Sequence, residues 1–278
     1  MANDNGVDYR FSKNCMRGSY ISTLSARHLN DSLRLVNRLW QRVRFYALGH
    51  TYNDMFFPLV PLLLPVLRLE FGLTYGQMGL LATAHVGLRS LMTFVSGYLG
   101  DRYSKNRIMS VGFFISAVTL GVLVLARNLV CVTAVLLLMA IGVGTFHTLG
   151  TLMATQSAPP QRRGLQLGMF EATGAIGMIT ISFMFGLLEF IEWRYLCLIL
   201  SIPGFFVARA YLKPRAKEEL DTTVPRPVDP AIIGLVLLAR FFATLTLSGF
   251  MTFLPTYAVD VWTVSPAIGA VTMGLYQM

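Results

Sequence analysis

Three polar residues interrupt the apolar run FYALGHTYNDMFFPLVPLLLPV that begins at Phe45: His50, Asn53 and Asp54. Their i, i+3, i+4 spacing places them on one face of a helix. A carboxylate beside an imidazole in such a setting can exchange a proton, because burial and a neighbouring cation pull its ionisation in opposite directions. Asp54 can equally be a structural anchor between helices, since intramembrane charges commonly pair. Arg240 is a second charge deep in an apolar run. A guanidinium stays charged when buried and grips carboxylate or phosphate as a fork, so Arg240 can hold an anionic solute group or form a salt bridge to Asp54. His147, with Thr151 on the same face, is either a hydrogen-bonding group in a cavity or a packed histidine donating to a carbonyl. Glu171 is expected to pair with Arg102 or Arg107 rather than meet a solute. His85 and Arg89, at i, i+4, are expected to have a structural role.

Other chemistries find no residues to carry them. The 278 residues contain no HExxH, nucleophile elbow, P-loop or paired-carboxylate arrangement, so neither an enzyme nor ATP-driven transport is indicated. Cys15, Cys131 and Cys197 lie far apart with no metal-ligand spacing, so no zinc site, disulfide framework or cofactor is expected.

The elements that must position the polar residues are membrane helices. With 54% hydrophobic against 13% charged side chains, the chain cannot cover a water-soluble surface. Apolar runs at about 45–68, 75–100, 108–126, 129–156, 165–188, 194–212 and 231–257 each approach the ~20 residues a spanning helix needs. An eighth begins at Pro266 and stops at Met278, giving only ~20 Å of helix. Pro58, Pro61 and Pro65 are expected to bend the first span, since each removes a backbone donor. Asp54 then lies about ten residues from one end, or ~15 Å in, close to the midplane.

Basic residues orient the chain, because Lys and Arg near helix ends resist transfer. Eighteen fall on the side of the amino terminus, including Arg102, Lys105, Arg107, Arg162, Arg163 and Arg209; three, Arg68, Arg127 and Arg194, fall on the other. The amino terminus is therefore expected in the cytoplasm, in a multi-pass protein of the plasma (inner) membrane. The net charge of +9 is mostly this asymmetry, and nucleic acid need not be invoked.

Residues 1–44 read as a cytoplasmic basic tail without a signal peptide. Its end, DSLRLVNRLWQRVR from Asp31, aligns Leu33, Val36, Trp40 and Val43 as an interfacial helix on anionic lipid would. A disordered tail is the open alternative. Residues 213–229, charged with both signs and rich in proline, read as a cytoplasmic linker. An offset of 190 residues aligns LPVLRLEFGLTYGQMG from Leu64 with LPTYAVDVWTVSPAIG from Leu254, matching Pro65 with Pro255, Glu70 with Asp260 and Gly79 with Gly269. That register suggests a duplicated six-helix unit, an arrangement common in transporters.

The stretch GYLGDRYSKNR, Gly97 to Arg107, resembles the G-x-L-A/S-D-R/K-x-G-R-R/K loop of the major facilitator superfamily, with Ser104 and Lys105 in place of its Gly and Arg. APPQRRGLQLGMFEATGAIG from Ala158 and EWRYLCLILSIPG from Glu192 resemble that superfamily's entries into helices five and six. Gly164, Gly168, Gly174 and Gly177 would give helix five a small-residue packing face. Ile181 and Ser182 stand where the antiporter motif has its glycine-proline element, which argues against drug export. HTYND from His50 is similar to the H-x-x-N-D opening of fosmidomycin-resistance-type members, and Phe146-His147 to their Phe-His-Pro, with Thr148 replacing the proline.

The resemblance implies an all-α membrane protein of the major facilitator fold. It comprises a complete six-helix N-terminal bundle at 45–212 and, at 230–278, the first one to two helices of a partial C-terminal bundle. It further implies secondary transport of a small solute by alternating access. Gly97, Asp101, Arg102, Arg107 and Glu171 would form the gating loop, and His50, Asn53, Asp54, His147 and Arg240 a solute or proton pathway. The expected partners are the lipid bilayer, a small solute that Arg240 would make anionic, and protons. A complete member would need about four more helices. The other expectation is therefore a truncated fragment that cannot transport, or one that needs a partner to supply them.

Overall fold

The computed structural model describes residues 18–212 and 229–278; for 18–33, 42, 188, 240 and 243–246 it describes the backbone alone. The expectations for residues 1–17 and for most of the 213–229 linker therefore lie outside the described residues. The chain divides into two compact units, residues 1–41 and 42–278. The described part of the first is the leading portion of one helix. The second contains every other element.

All regular structure among the described residues is helical. Ten α-helices follow in chain order: α1 Gly18–Asp54, α2 Leu59–Phe71, α3 Tyr75–Gly100, α4 Lys105–Val122, α5 Leu129–Gly144, α6 His147–Gln156, α7 Arg163–Phe185, α8 Trp193–Leu212, α9 Pro230–Val261 and α10 Pro266–Tyr276. Short 3₁₀ turns extend α4, precede α7 and follow it. Five stretches are long and apolar enough to cross a membrane: 75–100, 105–125, 129–156, 160–185 and 193–212. The first crossing is assembled from the end of α1 with α2.

Two of the expected single spans are broken. α1 ends at Asp54 because Pro58 has no N–H to give the Asp54 carbonyl. The chain instead makes tight turns, Phe56 N–H to Asn53 O at 3.2 Å and Phe57 N–H to Asp54 O at 3.1 Å. Pro61 and Pro65, expected to bend the span too, are accommodated within α2. The fourth crossing breaks between α5 and α6 without any proline. There the Thr145 hydroxyl and N–H both bond the Gly142 carbonyl, at 2.8 and 3.2 Å.

Polar residues mark the helix starts. Thr74 and Gln77 form a reciprocal capping box on α3, and Asn128 accepts from Cys131 N–H at 2.9 Å to start α5. The two segments aligned in sequence end in similar turns: Gly72 after α2 and Thr263 after α9 both have positive φ, 67° and 53°. Each turn leads to a hydroxyl cap, Thr74 or Ser265. Arg68 and Asp260 join the two segments by an ion pair at 3.2 Å.

α4 packs between α5 and α8, α3 lies against α5, α6 against α7, and α10 against α7 and α9. Large apolar side chains such as Leu80, Phe94, Val130 and Phe206 are exposed, as lipid-facing residues should be. Apolar burial contributes little between helices in lipid, so close packing and hydrogen bonds must hold the bundle. Ser110 Oγ donates to Ala208 O at 2.7 Å between α4 and α8. Glu70 accepts from Trp193 Nε1 at 3.0 Å and Arg194 Nη1 at 3.1 Å, tying α2 to the start of α8.

Candidate functional site

The two helix breaks bring their polar residues together. Asp54, the last residue of α1, lies with Oδ2 3.2 Å from His50 Nε2 and Oδ1 3.1 Å from Nε2 of His147, the first residue of α6. Asn53 Nδ2 donates to Asp54 Oδ1 at 3.4 Å. His50, Asn53 and Asp54 are buried, whereas the His147 side chain keeps 30% of its surface exposed.

The hydrogen bonding fixes a proton count. His50 Nδ1 lies 2.9 Å from the Phe170 carbonyl, which can only accept, so Nδ1 carries a hydrogen. In the neutral ring that leaves Nε2 as a lone pair facing Oδ2, and an ionised carboxylate also only accepts. With His50 protonated at both nitrogens, the 3.2 Å approach of Nε2 to Asp54 Oδ2 is an ion pair. The ring is held for this: Phe170 stacks on it with centroids 4.1 Å apart and planes 6° off parallel, and Phe146 stacks at 5.9 Å. The His50, Asp54 and His147 atoms all lie within 4.8 Å of one another, so the same trio has the spacing to hold a metal ion.

α7 closes the site from the other side, and this needs glycine. A Cβ on Gly174 would run into the Asp54 carboxylate and the His50 ring, and one on Gly177 into the Thr51 backbone. Thr51 Oγ1 donates to Thr173 O at 2.9 Å across the same contact. The other two glycines expected on this face, Gly164 and Gly168, have no neighbour within 4 Å of such a Cβ, so the packing stripe is confined to the level of the site.

The remaining expected residues are elsewhere. Arg240 lies on α9, but its side chain is outside the described residues, so its expected salt bridge to Asp54 is too; among the described residues Asp54 is flanked by the two histidines. Asp101 caps α3 and is exposed, as is Arg107. Arg102 bonds its own helix, Nη1 to Tyr98 O at 3.2 Å, with its guanidinium 3.7 Å from the Tyr98 ring centroid. Gly97 faces Thr148 in ordinary contact. Glu171 does not pair with Arg102 or Arg107 among the described residues. It follows Phe170 in α7 and is exposed.

His85 is structural as expected, with Nδ1 3.0 Å from Leu136 O. Arg89 is not explained by that role. It is buried, and its guanidinium lies 4.0 Å from the centroid of Phe57 in the first break. Phe170, Gly174 and Arg89 were absent from the expected site. Only Arg89 carried a signal, as an intramembrane charge without an obvious counter-charge on its own helix.

The chain matches the family model described as Major Facilitator Superfamily over residues 46–278. It belongs to that superfamily. Among curated members it is 24% identical over 223 residues to the Fosmidomycin resistance protein of Escherichia coli (strain K12), covering 74% of this chain and 55% of that protein. It is 24% identical over 179 residues to the riboflavin transporter RibZ of Clostridioides difficile (strain 630), covering 63% and 38%. The chain thus spans about half the length or less of these curated relatives. Among solved structures, a bacterial homologue of the human lysosomal transporter Spinster, inward-facing and unoccupied, superposes with a TM-score of 0.67 at 19% identity, covering 85% of this chain and 58% of that one. A D-xylose-proton symporter superposes with 0.58 at 15% identity, covering 84% and 65%. The major facilitator fold, an integral multi-pass arrangement, therefore holds for this chain.

Proposed function

We propose that this superfamily member moves a small solute across the membrane by alternating access, driven by the proton shared between His50 and Asp54. The carrying observation is the proton count: Phe170 O fixes one nitrogen of His50, and the other faces Asp54 at 3.2 Å. His147, partly exposed and 3.1 Å from the same carboxylate, is the group through which water would deliver and remove that proton. The site lies at two discontinuous crossings, the place where transporters commonly bind solute and coupling ion. Breaking each crossing lets its halves tilt separately, so a change of charge at Asp54 can be converted into movement.

Asp101, Arg102 and Arg107, at the turn between α3 and α4, would close the cytoplasmic side, with the amino terminus in the cytoplasm and the protein in the plasma membrane. The buried guanidinium of Arg89, with Arg240 deep in an apolar run of the sequence, favours an anionic solute.

The names of the relatives supply two probes, fosmidomycin and riboflavin. In proteoliposomes an imposed pH gradient should drive accumulation of at least one of them. Asp54→Asn should abolish that accumulation while leaving solute exchange across equal pH. Undiminished gradient-driven accumulation in Asp54→Asn would remove the proton from the account.

A further inference from the structure

We propose that Arg89 is the anion-binding residue of this site, receiving an oxyanion group of the solute on its guanidinium; the assignment deepens the transport reading and rests on it. Arg89 is buried on α3, yet among the described residues its guanidinium has no hydrogen-bond acceptor and no ion pair. The contact it does make is with the face of Phe57, at 4.0 Å, which attracts a cation but accepts none of its five N–H groups. Arginine stays charged, and a largely buried guanidinium with its N–H groups unengaged is open to an acceptor of fitting geometry.

The fold aims this residue with care. A Cβ on Gly144, at the end of α5, would run into the Arg89 carbonyl oxygen and lie 2.7 Å from Met92 Cβ, so α5 holds α3 at this turn by backbone contact. Phe57 belongs to the break that also ends α1 at Asp54. Asp54 is engaged at short range by His50 and His147. The guanidinium thus rests on the chain break that carries the site, without pairing with Asp54. A mainly apolar groove lined by Thr93, Phe94, Gly97, Tyr98, Asp101 and Thr148 lies farther along α3, toward the Gly97–Arg107 loop. A carboxylate or phosphate would accept two parallel N–H bonds from the fork, and would compete with Asp54 for the same positive charge.

The test uses the 278-residue chain purified in detergent, with inorganic phosphate and acetate as probes against a chloride background. Phosphate or acetate should raise the thermal midpoint saturably, the stronger of the two naming the class of oxyanion. Arg89→Lys should weaken the apparent affinity at least about tenfold, because a point charge cannot form the fork. Asp54→Asn should tighten it several-fold by removing the competing carboxylate. Arg162→Gln, at an exposed position, should leave it unchanged. Equal affinity in Arg89→Lys and the parent chain, or no saturable shift in the parent chain, would overturn the assignment. Should Arg89→Lys fail to fold, phenylglyoxal labelling of the parent chain with mass spectrometry decides: Arg89 should be modified and phosphate should protect it. No modification, or modification unaffected by phosphate and acetate, would overturn the proposal. Loss of gradient-driven transport with anion binding intact faults the proton reading and leaves this one standing.

Discussion

The Asp54 carboxylate meets the His147 imidazole at 3.1 Å, joining the residue that ends α1 to the residue that begins α6. Both belong to crossings that a straight helix would have carried past one another. Pro58 sets one break and the Thr145 turn the other, and each break faces a polar group toward the centre of the bundle. The site is thus a product of two local failures of helix geometry brought to the same level.

Gly174 and Gly177 separate function from packing. Gly174→Ala would place its methyl against Asp54 and His50, and should lower the transport rate about tenfold or more while the protein still inserts and remains monodisperse. Gly177→Ala meets the Thr51 backbone, which cannot swing aside, and should lower the melting temperature measurably. Rate in proteoliposomes and thermal unfolding in detergent give the two readouts; identical profiles for the two variants would contradict the distinction.

His147 is the partly exposed member of the trio. His147→Gln keeps a hydrogen-bonding side chain but cannot carry a proton, so gradient-driven accumulation should fall several-fold more than exchange at equal pH. Equal losses in the two assays would make His147 a packing residue.

The Glu70–Arg194 clamp gives a pH dependence at the end of the bundle away from the Gly97–Arg107 loop. Burial works to raise the Glu70 carboxyl, but the bonds from Arg194 and Trp193 and the charge of Arg194 outweigh it and hold the group below the ordinary glutamate range. A carboxyl depressed in the folded state stabilises the fold above its unfolded value, about 4.3, and loses that contribution as pH falls through the folded value below it. The melting temperature of the parent chain should therefore drop more steeply below about pH 4.3 than that of Glu70→Gln. Parallel curves would show that the clamp contributes nothing.

The loop that resembles the superfamily motif should affect rate without affecting stability. Asp101 and Arg107 are exposed and Arg102 rests on its own helix, so Asp101→Asn and Arg102→Gln should change stability by no more than about 0.5 kcal/mol. If they gate the cytoplasmic side, transport should fall several-fold in each. Unchanged transport would leave the loop as an insertion signal alone.

Much of the site was legible where the cause is local. His50, Asn53 and Asp54 follow from helical period, and Pro58 announces the first break. The second break was hidden because Gly142, Gly144 and Thr145 are all tolerated in a membrane helix, and only their packing turns the chain there. Arg89 was read with His85 because i, i+4 neighbours share a face. On α3, however, His85 meets the Leu136 carbonyl, while Arg89, one turn on, reaches Phe57. Glu171 was assigned to the basic loop by charge alone, but Phe170 beside it bonds His50 and sets its level in the bundle. Glycines 164, 168, 174 and 177 look alike in sequence; only the helix opposite separates the two that matter from the two that do not.

The most direct test of the shared proton is to watch it move. Proteoliposomes loaded with a pH-sensitive dye and given fosmidomycin or riboflavin at equal starting pH should show an internal pH change coupled to solute entry or exit in the parent chain. In Asp54→Asn there should be none, although labelled solute still exchanges. The same pH change in Asp54→Asn as in the parent chain would contradict the account at its centre.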